Sequence, residues 1–237
     1  MTAADEVETP VARAVATGGL GEADEELAEA RRRLGAAHRR LGHAIVGHAA
    51  PIDAVRRLTA ELEERASELS RGEGRIRVVD RTPDSMRPVP PDGAEMVTYD
   101  DRPISGRAAP WGLDLHVVRD GDEVVAAVTL GAAHEGAPGR CHGGLVSALF
   151  DDVFGFVLTL QQQAAFTGTL TIRYERGVPL HRPLECRVRL EGRERRKLSL
   201  SGELTGPDDD GETCVFARAT AVFIAVDPSM FEVTAEA

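Results

Sequence analysis

The segment Gly139 to Gly155, GRCHGGLVSALFDDVFG, constrains the fold more than any other part of the chain. After its paired glycines, Leu145, Val146, Leu149, Phe150, Val153, Phe154, Phe156, Val157 and Leu160 leave a helix with almost no polar face. A helix apolar all round has to be buried, so the rest of the fold must wrap it. Asp151 and Asp152 then become carboxylates in or beside a core, which is costly unless they are paired or used. With Ser147 they also make the stretch a poor membrane span.

The wrapping material is a set of strands. Leu113, Leu115 and Val117 alternate with polar residues from about Trp111, Asp120-Gly121 supplies a hairpin turn, and Glu123 to Leu130 runs back rich in valine. Beyond the helix, strands are predicted over Thr167 to Tyr174, Leu184 to Glu191, Lys197 to Thr205 and Glu212 to Val226. Short connections at Gly177-Val178-Pro179, Gly192 and Gly206-Pro207-Asp208 favour antiparallel neighbours, hence two strands, one helix and a four-strand meander. This is an α+β arrangement in which an antiparallel sheet wraps a long central helix.

Upstream, residues 1–20 read as a tail and 21–72 as a helical extension of two amphipathic helices. One carries Leu27, Leu34, Leu41 and Ile45, the other, opening at Pro51, carries Ile52, Val55, Leu58, Leu62 and Leu69. Such a pair buries too little to stand alone, so its stripes are expected to dock as a packing or oligomerisation appendage. His38, His43 and His48, five residues apart, turn to different faces and read as surface histidines. Proline-rich 73–95 is a linker, 96–228 the main domain and 229–237 a second tail.

Composition narrows the function classes. Apolar residues at 42% support a core, with aliphatic filling because aromatics are only 4%. A net charge of −11 argues against nucleic acid. Cys141, Cys186 and Cys214 form no framework of disulfides and suit a reducing cytoplasm, and acidic 1–10 lacks the apolar run of a signal peptide. Cys141 beside His142 reads as buried filler. Without metal-ligand spacing, a P-loop or a dinucleotide fingerprint, no metal or cofactor is expected.

His142-Gly143-Gly144 stands at the start of the buried helix, where amides lack intrahelical acceptors and the helix dipole is positive. Glycines let a ligand oxygen approach the backbone. Together they suit a carbonyl that gains negative charge. Two turns on, Asp151 can serve as general base or as nucleophile, and spacing alone separates neither these routes nor Asp151 from Asp152.

The pattern resembles the hotdog-fold acyl-CoA thioesterases of the phenylacetate-pathway and human mitochondrial THEM types, with HGG at the helix start and an acid nine residues after the His. His142 plus nine is Asp151. The resemblance takes in His134-Glu135-Gly136-Ala137-Pro138-Gly139, the strand Thr167-Gly168-Thr169-Leu170-Thr171-Ile172-Arg173-Tyr174, and roughly 96 to 228. It implies a hotdog fold with an N-terminal helical extension and hydrolysis of an acyl-CoA. In that scheme the Gly143 amide polarises the thioester, Gly144 lies adjacent, His142 shapes the turn, Asp151 is base or nucleophile, and Thr167 holds the water or carboxylate. Relatives often carry Asn-Pro where this chain has Ala109-Pro110. Coenzyme A phosphates would seek arginine or lysine, with Arg173, Arg176, Arg193, Arg195, Arg196 and Lys197 the candidates, and the acyl group would lie against Phe150 and Phe154. A homodimer or dimer of dimers is implied, with Thr167 or the arginines acting across the interface. An acyl-carrier-protein substrate and a non-catalytic acyl-CoA-binding module are the alternatives.

Overall fold

The computed structural model describes residues 22–72 and 88–227. Both predicted tails, 1–20 and 229–237, and most of the linker lie outside the described residues. In chain order the elements are α1 (Glu22–Gly47), α2 (Ile52–Leu69), β1 (His116–Asp120), β2 (Glu123–Thr129), α3 (Gly143–Leu160), β3 (Ala165–Tyr174), β4 (Pro183–Glu194), β5 (Lys197–Pro207) and β6 (Thr213–Ala225). A 3-10 turn at Ala132–His134 precedes α3.

Every strand pairing is antiparallel, in the order β1-β2-β4-β5-β6-β3. This corrects the expected meander: β4 pairs with β2, and β3 with β6. The link from β3 to β4 is no tight turn. It crosses the sheet end, where Val178 accepts the Cys141 amide at 2.9 Å, so β3 becomes an edge strand beside α3. Residues 88–95 lie along the other edge, with Met96 N–H bonded to Val117 O at 2.8 Å.

Period-two alternation explains the core. Val124, Ala126 and Val128 of β2, Leu184, Cys186 and Val188 of β4, and Leu198, Leu200 and Leu204 of β5 point inward against α3. On β6 four inward positions are alanine (217, 219, 221 and 225), which brings the strand close to the helix; Phe150 and Phe154 fill the remaining depth. Gly202 permits a close approach, since a Cβ there would meet Val188 at 2.6 Å and Phe150 at 3.3 Å. α3 has the length and apolar composition of a membrane span, but here it is the helix packed on the sheet.

The extension departs from expectation. α1 docks with its polar and small face, not its leucines. Arg39 is nearly buried and donates to Arg107 O (3.0 Å), Ala109 O (2.7 Å) and Asp114 (2.5 Å), while Arg32 reaches Asp100 at 2.8 Å. The surface being met is a loop rich in open carbonyls and carboxylates, so guanidinium groups match it better than methyl groups do. His43 is correspondingly no free surface histidine: its Nδ1 accepts the Ala133 amide at 3.0 Å. Leu27, Leu34 and Ile45 are left about half exposed, and α2 buries no side chain.

Gly35 lets α1 come this close, because a Cβ there would sit 2.7 Å from the Ala108 carbonyl carbon and oxygen. Alanine favours an isolated helix by about 1 kcal/mol over glycine, yet this clash is with backbone. Gly35→Ala should therefore lower stability by about 1–3 kcal/mol, read as a fall in denaturation midpoint; an unchanged or raised midpoint would contradict the docking.

Candidate active site

Three sides of α3 are covered, and one stripe is not. Gly143, Ser147 and Asp151, four residues apart, face β3 and are only partly buried. Their neighbour Asp152, rotated by about 100°, is 6% exposed and ion-paired through Oδ1 to Arg102 Nε at 2.6 Å. Arg102 also donates to Asp152 O at 3.2 Å and lies 5.5 Å from the Phe156 ring centroid. The buried structural acid is thus Asp152, while Asp151 borders solvent rather than lying in the core.

At the helix tip the amides are distributed in a specific way. His142 is the N-cap, and its Nδ1 accepts from Gly144 N–H at 3.0 Å. His142 O takes Leu145 N–H at 3.0 Å and Val146 N–H at 3.4 Å. Gly143 N–H is left without an acceptor among the described residues. Gly143 O accepts from Tyr174 OH (2.7 Å) and Ser147 Oγ (3.2 Å), and those hydroxyls lie 2.9 Å apart. The lead-in loop is shaped by glycine: Gly139 has φ +70°, and a Cβ on Gly136 would meet His142 Cα at 2.7 Å. Beside it Cys141 is buried, which pushes its thiol up to about 11 and keeps it protonated at neutral pH.

Asp151 belongs to a second centre. Thr167 Oγ1 donates to Asp151 Oδ1 at 2.7 Å within the same chain, not across an interface. The register of β3 on β6 shifts between Thr167 and Thr169, a bulge at Gly168 that re-aims Thr167. Between the two centres, eight residues at about 1.5 Å rise separate Gly143 from Asp151 by ~12 Å along the axis. One thioester carbonyl cannot touch both groups of a single chain.

The six cationic candidates fall at opposite ends of α3. Arg173 pairs with Glu175 (3.0 Å) and Arg176 with Asp208 (3.3 Å), on the Tyr174 side near the tip. Arg193, Arg195, Arg196 and Lys197 form the β4–β5 hairpin at the far end, where Arg193 donates to Gln163 at 3.0 Å and Arg196 to Ala225 O at 3.0 Å. Phe150 and Phe154 are fully buried, with ring centroids 6.1 Å apart, so both are core filling and neither opens onto the stripe. Sequence reasoning missed Tyr174 and Ser147. Ser147 had a signal, standing midway between Gly143 and Asp151 at helical spacing; Tyr174 had none beyond ending the strand.

Residues 138–213 match the model of the Thioesterase superfamily. Acyl-coenzyme A thioesterase THEM4 of Mus musculus is 32% identical over 94 residues, 40% of this chain and 39% of its own length. The Bos taurus THEM4 is 30% identical over 119 residues, 49% and 48%. The chain therefore spans less than half the length of these curated relatives. A solved thioesterase superfamily protein superposes with a TM-score of 0.64 at 23% identity, covering 82% of this chain and 94% of that one. That coverage exceeds what residues 88–227 alone could supply, so the shared fold takes in part of the helical extension.

The loop leading to the tip carries a titratable strut. His134 is buried, accepts Gly131 N–H through Nδ1 at 3.1 Å, and holds the His142 amide with its carbonyl at 2.9 Å. Burial, then the His43 ring 4.7 Å away, lowers its pKa to about 4, against a weaker opposing pull from Asp114. An unfolded histidine protonates near 6.5, so between these values the unfolded chain binds more protons. Stability should be full above about pH 6.5 and fall progressively towards pH 4. Denaturation midpoints across that range should show this slope, and His134→Asn, which keeps an acceptor but cannot protonate there, should flatten it.

Proposed function

We propose, for a chain whose residues 138–213 belong to the thioesterase superfamily, that it hydrolyses an acyl-CoA thioester to the carboxylic acid and CoA. The observation that carries this reading is the pair of centres on one stripe of α3: a free Gly143 N–H at a helix N-terminus, and a carboxylate anchored by Thr167. The curated relatives are acyl-coenzyme A thioesterases, which supports the same substrate class here.

Because the two centres lie ~12 Å apart along one helix, the working site is composite. In a two-fold dimer joined along the open β3 edge, the α3 helices run antiparallel, so the tip of one approaches the carboxylate of the other. The thioester oxygen accepts the Gly143 N–H of one subunit, where the helix N-terminus stabilises the oxyanion. Asp151 of the other takes a proton from a water whose oxygen attacks the carbonyl carbon. The C–S bond then breaks, the thiolate leaves and is protonated, and the acid is released. Thr167 favours this water route over direct attack, because its hydroxyl oxygen offers the water a second polar contact beside the carboxylate. Arg173 and Arg176, near the tip, suit the CoA phosphates better than the far hairpin does.

Thiol release measured over a panel of CoA esters should show Asp151→Asn lowering kcat by about 10²–10⁴; wild-type turnover in that variant would sink the assignment. Gly143→Pro removes the N–H at a position where the helix tolerates proline, and its ring also fills the place the thioester oxygen would take, so it should cost at least about 10²–10³.

The composite arrangement has its own test. Each variant alone lacks one half of both sites, but a heterodimer of the two keeps one complete site. Mixing inactive Asp151→Asn and Gly143→Pro chains by unfolding and refolding should restore a substantial fraction of activity. Persistent inactivity, with mixed dimers verified by mass, would place both groups of each site in one subunit.

A further inference from the structure

No side chain of α2 is buried, and Ile52, Val55, Leu62 and Leu69 are between 38% and 69% exposed. With Thr59 and Ala66 they recur at alternating spacings of three and four, the a/d repeat of a two-helix seam. An exposed apolar row of this length on a soluble surface marks a contact. We propose that α2 pairs with α2 of a second copy of this chain, antiparallel about a two-fold axis.

Register and charge select this occupant. A single antiparallel register seats the whole seam: Ile52 opposite the partner's Leu69, Val55 opposite the partner's Ala66, and Thr59 opposite the partner's Leu62. The same register sets Arg56 beside the partner's Glu63, and two-fold symmetry makes that ion pair twice. Parallel pairing would instead stack Thr59 on its own copy and set Leu58 against Glu63, with no opposite charges across the seam. Among the described residues Arg56 has only a 3.7 Å contact to Asp53 on the same exposed surface, which is weak enough to be exchanged.

The pairing is distinct from the β3-edge dimer. α1 is anchored through Asp100, Ala109 and Asp114, which precede β1, and β1 and β3 are opposite edges of the sheet. Two different two-folds that meet at right angles then generate a closed dimer of dimers, with α2 as the second contact.

Sedimentation of the full chain tests this. Leu62→Asp, which places a carboxylate at the centre of the seam, should halve the mass at concentrations where wild type stays intact. Arg56→Glu should raise the dissociation constant about tenfold by turning two attractions into repulsions. The double variant Arg56→Glu/Glu63→Arg should restore it to within about threefold, because the charges are exchanged across the same contact. All three changes lie on a helix that buries nothing, so the hotdog domain and its thiol-release rate per chain should be unaffected. If Leu62→Asp leaves the mass unchanged, as it would were α2 folded back on the exposed stripe of its own α1, or if the double variant is no better than Arg56→Glu, the pairing is wrong.

Discussion

Burial of α3 against a sheet whose inward faces are almost wholly aliphatic sets the position of everything chemical in this chain. The helix cannot rotate without exposing Phe150, Phe154 or Val157, each fully buried. At about 1.5–3 kcal/mol per buried large side chain, a rotation that exposes even one of them costs more than a surface ion pair returns. Its orientation about its own axis is therefore fixed, and with it the stripe that β3 leaves partly open. Only small or polar residues occupy that stripe: Gly143, Ser147 and Asp151.

The adjacent aspartates show what this rotational constraint accomplishes. Neighbouring residues on a helix differ by about 100°, so one acid must turn inward when the other faces the stripe. Asp152 is tolerated inside because Arg102 meets it at 2.6 Å; a buried carboxylate without such a partner would cost several kcal/mol. Its second oxygen has no partner among the described residues, so the guanidinium carries most of the compensation. Arg102 thereby also pins the backbone one residue from Asp151. A Cβ on Gly155, one turn beyond Asp151, would press on the same guanidinium.

Much of this was legible from local pattern. The buried helix, the two-strand hairpin, the four later strands and the glycine-led helix start all follow from periodicity and turn chemistry, which depend on residues a few positions apart. Strand order did not, because the choice of β2 over β3 as partner for β4 is a long-range pairing that no short link encodes. Nor did the division of labour between Asp151 and Asp152: their difference lies in Arg102, fifty residues away. Tyr174 capping the Gly143 carbonyl is likewise visible only once β3 is laid beside the helix tip. The docking face of α1 was misread for a different reason. Hydrophobic periodicity identifies which face of a helix prefers to leave water, and α1 instead meets a surface of carbonyls and carboxylates that guanidinium groups satisfy better.

That inversion ties the extension to the open stripe of α3. Arg32 holds Asp100, Arg39 holds the carbonyls of Arg107 and Ala109, and Arg102, from the same loop, holds Asp152. On the other side His43 holds the Ala133 amide, next to the His134 that supports His142. α1 therefore braces two loops, one leading to the helix tip and one clamping the helix beside its carboxylate. A helix docked by its leucines would have spent its apolar stripe on this task. Docked by its arginines and a histidine, it fixes the geometry of α3 with directional bonds and keeps Leu27 and Leu34 facing outward.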